Sequence, residues 1–236
     1  MKSLSILAVL AAAATTVDAH YIFNILFVNG QKKGGEYTYV RKNTNSYNPA
    51  FPDIINKQDL RCNVGAKPAS NVGTYEVNAG DKIGLKLFNN EFIEHPGPGF
   101  FYMSKAPGSV STYDGSGDWF KVWETGLCKG NAAQDGNWCT WQKDRMEFTI
   151  PAKTPPGEYL VRVEHIGLHE GHVNKAQFYI QCLQLKINGP GGGNPSPLVQ
   201  IPGGLYKETD PGIRYNKWTS NPAPYVMPGP KVWDGN

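Results

Sequence analysis

The sequence predicts an all-β fold, an immunoglobulin-like or fibronectin-like antiparallel β-sandwich with long surface loops. Three observations predict it. Short runs of β-branched and aromatic residues recur along the whole chain, each stopped by a turn signal. The 236 residues include 27 glycines and 18 prolines, the punctuation that many short strands need. Helix signals are few.

The strands follow in order. His20-Tyr21-Ile22-Phe23-Asn24-Ile25-Leu26-Phe27-Val28 ends at Asn29-Gly30, a strong hairpin stop. Tyr37–Val40 is short and aromatic. Gly73–Val77 leads into the turn Asn78-Ala79-Gly80-Asp81, and Lys82–Phe88 alternates on the far side. Phe100–Met103 follows a Pro/Gly-rich loop. Met146–Ile150 and Glu158–Glu164 flank Pro155-Pro156-Gly157, and the last clear strand is Gln177–Ile187. Gly189–Pro195 has the composition of a linker. The stretch from Leu198 to Asn236 holds too little apolar material to fold alone, so it is read as a tail wrapping the same domain.

Residues 1–19 read as a secretory signal peptide. Lys2 supplies the basic start, Leu4 to Ala14 the apolar centre, and Val17-Asp18-Ala19 the small-residue cleavage site. Cleavage after Ala19 leaves 20–236 as a single secreted domain and makes His20 the first residue. A terminal histidine offers its α-amine and its imidazole together, a bidentate nitrogen chelate that no internal histidine has. Planar nitrogen donors suit Cu(II) best among the first-row divalent metals.

Composition excludes several functions. A formal net charge of +3, from 23 basic and 20 acidic residues spread without clusters, gives no case for nucleic acid or an anionic membrane. After the signal region no apolar run approaches the ~20 residues that span a bilayer. No Asn-x-Ser/Thr acceptor with a permitted middle residue occurs. The four cysteines enter an oxidising compartment, so two disulfides are expected. Three pairings are possible. Cys128 and Cys139 flank a loop-like stretch and form the natural local pair. Cys62–Cys182 would then close a long loop, worth about 4–5 kcal/mol in the chain-entropy account.

The remaining histidines are His95, His165, His169 and His172. His95 lies in Glu94-His95-Pro96-Gly97-Pro98-Gly99, where two prolines fix φ and the glycines permit tight turning, a rigid seat for a stationary ligand. His165 and His169 do not form a zinc helix. A strand precedes them, the H-E-x-x-H pattern is absent, and in extended chain they would stand about 13 Å apart at ~3.3 Å per residue. His165 and His172 are expected on the surface. Along Gln177-Phe178-Tyr179-Ile180-Gln181-Cys182 the alternation places Gln177 and Tyr179 on one polar face and Phe178, Ile180 and Cys182 on the other. Acidic residues are scattered, with no pair marked out for glycoside hydrolysis.

In combination these segments resemble a known family. His20 behind the signal, His95-Pro96-Gly97-Pro98 followed by Tyr102–Pro107, Ile166-Gly167-Leu168-His169, Gln177-Phe178-Tyr179-x-x-Cys182 and Cys62-Asn63-Val64 occur in the order of the fungal lytic polysaccharide monooxygenases of auxiliary activity family nine. Ile201–Gly204, Thr209–Ile213 and Tyr225-x-x-Pro228-Gly229-Pro230 are similar to that family's C-terminal segment.

The resemblance implies one copper ion per chain. His20 would ligate it through amine and ring, His95 through its ring, and Tyr179 axially. His169 and Gln177 would hydrogen-bond the oxygen species. It implies oxidative cleavage of cellulose or a related β-1,4-glucan by hydroxylation at C1 and/or C4, with an external electron donor and dioxygen or hydrogen peroxide, in a monomer. The substrate is a flat crystal face, so exposed aromatics are expected. Tyr225 resembles the family's surface tyrosine, and Tyr21 and Tyr206 are further candidates for stacking on sugar. Two departures stand out: the stretch between His169 and Gln177 is short, and Gly167 replaces a small residue that is usually alanine. The alternative is a non-catalytic secreted protein that binds copper or glucan.

Overall fold

The computed structural model describes residues 20–236; the predicted signal peptide lies outside them. Nine strands make two sheets. β1 (Phe23–Val28), β2 (Gln31–Lys33), β4 (Lys82–Leu87) and β7 (Arg145–Thr149) form one, in the order β2-β1-β4-β7. β3 (Tyr75–Asn78), β5 (Gly99–Lys105), β6 (Phe120–Thr125), β8 (Gly157–Gly167) and β9 (Gln177–Asn188) form the other, in the order β3-β9-β8-β5-β6. Every pairing is antiparallel except β3 with β9. Asn29 and Gly30, at φ 51° and 78°, make the predicted tight turn between β1 and β2.

The all-β expectation is met, with local differences. Residues 37–40 are not a strand; Val40 alone bridges to Leu183. β2, Gln31-Lys32-Lys33, carries no β-formers and exists because β1 offers an edge to pair with, whereas β6 is a further strand, rich in aromatic and β-branched residues, absent from the sequence reading.

The two sheets enclose one apolar cluster, to which Leu26, Ile83, Leu85, Phe101, Met103, Val161, Val163 and Leu183 belong. A second cluster lies on the outer face of the five-stranded sheet. There Phe100, Tyr102, Leu160, Phe178, Ile180 and Cys182 are covered by loop residues such as Leu60 and tail residues such as Ile201, Leu205 and Ile213. β8 and β9 are therefore buried on both faces, which corrects the reading of a wet face on β9: Tyr179 packs in the cluster between the sheets.

The tail is held by main-chain pairing as well as burial. Trp119 and Val199 exchange hydrogen bonds of 2.9 and 2.8 Å, and Trp233 N–H donates to the Lys121 carbonyl at 2.8 Å. Both predicted disulfides form. Cys62–Cys182 ties a loop to β9, and Cys128–Cys139 closes the local loop.

Candidate metal centre

The site lies where the start of the chain meets the ends of β8 and β9. His95 sits on the loop between β4 and β5, and that loop is fastened to the end of β8. Ile166 N–H donates to the Pro98 carbonyl at 3.1 Å and Leu168 N–H to the Pro96 carbonyl at 2.9 Å. Gly97, at φ 157°, allows this approach: a Cβ there would run into the Ile166 carbonyl oxygen. Thr140 Oγ1 holds the Gly97 carbonyl at 2.6 Å from the opposite side.

Four rings converge. The His20 and His95 rings stand 6.2 Å apart, nearly edge to face at 61°. Tyr179 lies 6.3 Å from His20 and 5.8 Å from His95, and His169 stacks on His95 at 4.3 Å. His95 Nε2 is buried with no hydrogen-bond partner, although a buried ring nitrogen ordinarily has one. Burial, helped by the neighbouring histidines His169 and His20, pushes the His95 pKa down to about 3, so the ring is neutral and presents a lone pair. A buried, neutral, unpartnered nitrogen beside a second imidazole fits a metal that takes nitrogen donors. Among the described residues no three His, Cys, Asp or Glu side chains are grouped to hold an ion; the α-amine of a chain cleaved after Ala19 would add a third nitrogen beside the His20 and His95 rings.

Tyr179 O–H donates to Gln177 Oε1 at 2.6 Å, and burial raises the phenol's pKa. A protonated phenol whose hydrogen is committed to Gln177 keeps its lone pairs for another partner. His169, at the rim, is half-buried with Nδ1 lacking a partner, and burial lowers its pKa. Its turn is held by the tail, because Gly171 leaves room for the Ile213 and Tyr215 carbonyls.

Three expectations need correction. His165 is fully buried, since it is paired on β8 between Gly99 and Tyr179 in the middle of the sheet. Its Nδ1 meets the Tyr21 hydroxyl at 2.8 Å, and burial takes its pKa down to about 3. Tyr21 is 2% exposed and stacks on Tyr179 at 4.0 Å, so it backs the site and has no face for sugar. Tyr206 is 4% exposed and donates to buried Glu164 at 2.5 Å, because the tail folds it under the second cluster. His172 is exposed as expected. Tyr225 is half-buried, with its hydroxyl on the Gly212 carbonyl at 2.6 Å and its ring against Trp138 and Tyr215.

Two exposed aromatics beside the rings escaped the sequence reading. Trp218, 62% exposed, donates its indole N–H to the His169 carbonyl at 2.6 Å. Phe51 shares a shallow depression with His20, Asn45 and Asn48. A tryptophan flanked by polar residues in a proline-rich tail, with no strand pattern to bury it, is the available signal for Trp218.

Comparison with known proteins identifies the family of the chain. Residues 20–225 match the profile of Auxiliary Activity family 9 (formerly GH61). The chain is 46% identical over 236 residues to "AA9 family lytic polysaccharide monooxygenase G" of Aspergillus tamarii, covering 99% of the chain and 72% of the relative. It is 47% identical over 245 residues to "AA9 family lytic polysaccharide monooxygenase A" of Aspergillus fumigatus, covering 97% and 82%. The extended catalytic domain of H. jecorina LPMO9A superposes with a TM-score of 0.81 at 28% identity, over 92% of each chain. A cellulose-active polysaccharide monooxygenase from M. thermophila superposes at 0.78 and 29% identity, over 92% of this chain and 100% of that one.

Proposed function

The chain belongs to Auxiliary Activity family 9, the lytic polysaccharide monooxygenases, and on that footing we propose that it is a secreted copper enzyme that cleaves cellulose or a related β-1,4-glucan by hydroxylation at C1 and/or C4. The observation that carries the reading is the buried, neutral and unpartnered Nε2 of His95 beside the His20 ring. His20, through amine and imidazole, and His95, through Nε2, would hold the copper, with the Tyr179 phenol beside them as a further donor. When bound, copper supplies one-electron chemistry fed by an external reductant, and with it the activation of dioxygen or hydrogen peroxide.

The chain's own residues prepare that chemistry. Burial keeps His95 deprotonated at neutral pH, so no proton competes for its lone pair. Gln177 takes the Tyr179 hydrogen and fixes the phenol's rotation. His169 stacks its imidazole on His95, and its unpartnered Nδ1 would be available for a hydrogen bond to oxygen bound at the site. Trp218, and more weakly Phe51 and the exposed edge of Tyr225, supply apolar faces on which sugar rings stack.

Product analysis tests the reading. Copper-loaded protein processed to His20 is incubated with phosphoric-acid-swollen cellulose, with and without reductant, and products are identified by mass spectrometry. Oxidised oligosaccharides that need reductant are expected, and their mass pattern reports C1 or C4 attack. Native oligosaccharides in both samples would make it a hydrolase. Tight copper binding without any soluble product would favour the non-catalytic alternative.

A further inference from the structure

Lys217 is 1% exposed, and its ammonium joins the Cys128–Cys139 loop to the ring of the next residue, Trp218. Nζ donates to the Ala133 carbonyl at 3.1 Å and forms an ion pair with Asp135 at 2.8 Å, both in the Cys128–Cys139 loop. It also lies 3.9 Å from the centre of the Trp218 ring. Lysine is almost never fully buried unless its charge is paired, and an ammonium beneath an indole is attracted to the ring face. The indole N–H in turn holds the His169 main chain.

The loop that receives the lysine is built to stay still. The disulfide closes it, Cys128 N–H donates to the Asn137 carbonyl at 2.8 Å, Cys139 N–H donates to Gly126 at 2.9 Å, and Asn137 Nδ2 reaches Asn131 at 2.8 Å. The loop is anchored by Ala132 and Trp138, which are buried in the second cluster, and its Ala133 and Asp135 form the floor under Lys217. Without the lysine, the exposed Trp218 indole would keep its hydrogen bond to His169 and lose what supports its ring.

We propose that Lys217 is a positioning residue that fixes Trp218 and the His169 turn on the Cys128–Cys139 loop, so that glucan affinity and the placement of His169 are set together. The affinity half rests on Trp218 belonging to the glucan-binding face. The lysine touches neither glucan nor copper, and acts through the indole.

The test uses metal-free protein labelled with fluorotryptophan, with the Trp218 fluorine resonance assigned through Trp218→Phe. In Lys217→Met that line is expected to move toward the free amino acid and to narrow. Binding to phosphoric-acid-swollen cellulose is expected to fall about fivefold, on the scale of one lost aromatic contact. The Lys217→Met/Trp218→Phe double variant is expected to bind no more weakly than Trp218→Phe alone. Asp135→Asn, which keeps the loop and the lysine, gives a partial shift of the line, and Lys217→Arg restores it in part. A wild-type line in both Lys217→Met and Asp135→Asn, or losses that multiply in the double variant, overturns the proposal. If Trp218→Phe binds cellulose like the wild type, the glucan-face reading fails, and the affinity half with it, while the fluorine line still decides whether Lys217 positions the indole.

Discussion

Gly97→Ala and Gly167→Ala each add one methyl group beside His95, yet their consequences are expected to differ sharply. At Gly97 the new Cβ falls on the Ile166 carbonyl oxygen, far inside the roughly 3.3 Å at which carbon and carbonyl oxygen ordinarily meet. Main chain on both sides must part by more than an ångström. That sacrifices the hydrogen bonds from Ile166 to Pro98 and from Leu168 to Pro96, at about 1 kcal/mol each. A φ of 157° that side-chain-bearing residues rarely adopt adds about 1–3 kcal/mol. The expected loss is about 3–5 kcal/mol. His95 travels with the loop, while ligand distances tolerate only about 0.2 Å. At Gly167 the Cβ meets His95 Cβ at 3.1 Å and Gln177 Cβ at 3.5 Å, side-chain neighbours that yield by tenths of an ångström. The entropy gained from replacing glycine, about 0.4–1 kcal/mol, offsets that crowding. Urea unfolding and copper calorimetry on processed protein measure both effects. Gly97→Ala should weaken copper at least about tenfold, and Gly167→Ala less than about threefold. Equal effects of the two, or a Gly97→Ala protein with native affinity and an unchanged copper spectrum, would refute the placement of His95 argued here.

Blocking the α-amine is the most direct probe of the metal site. One residue left ahead of His20 should lower copper affinity at least about a hundredfold by calorimetry while leaving unfolding of the metal-free protein unchanged. Acid should destabilise the metal-free protein. His165 titrates at about 3 when folded and near 6.5 unfolded, so between those values the unfolded chain binds the extra proton. Stability is then full above pH 6.5 and falls as pH drops toward 3, by about 3 kcal/mol at pH 4.5 from this ring, with His95 adding in the same direction. Denaturant midpoints of His165→Gln should show a flatter dependence; an unchanged slope contradicts the assignment. Tyr206→Phe removes a donor to buried Glu164 and should cost about 1–3 kcal/mol without changing cellulose binding, whereas a tyrosine that stacked on sugar would show the reverse.

The strands that could be read from sequence are those whose own side chains specify them. β1, β4, β8 and β9 are long and apolar, and their turns carry Asn-Gly, Ala-Gly and Pro-Gly signals. β2 is Gln31-Lys32-Lys33, with nothing in it that favours a strand; the tight turn at Asn29-Gly30 folds it back on β1. Burial on both faces of β8 and β9 hid more. Alternation tells which residues share a face, but not that the inner face carrying His165 and Tyr179 packs between the sheets while the tail covers the other, so His165 reads as a surface residue and Tyr179 as part of a polar stripe.

The site divides along the same line. His20, His95, His169, Gln177 and Tyr179 are legible because their chemistry is fixed by residue type and by local backbone: a chain start, a Pro/Gly-clamped loop, the end of a strand. The glucan face is not legible, because exposure is a tertiary property. Of the three tyrosines expected there, Tyr21 is taken up by stacking on Tyr179 and Tyr206 by Glu164, and only Tyr225 keeps an open edge. The exposed ring beside His169 is Trp218, supplied by a tail with no periodicity and held by a lysine whose partners lie more than eighty positions earlier. The tail therefore serves two ends of the fold at once. Its apolar residues close the second cluster, and its Lys217-Trp218 pair carries the Cys128–Cys139 loop to the rim of the metal centre. Changes at Ala133 or Asp135 should thus be felt at the Trp218 ring, whereas changes at the buried Trp138 of the same loop should cost stability first.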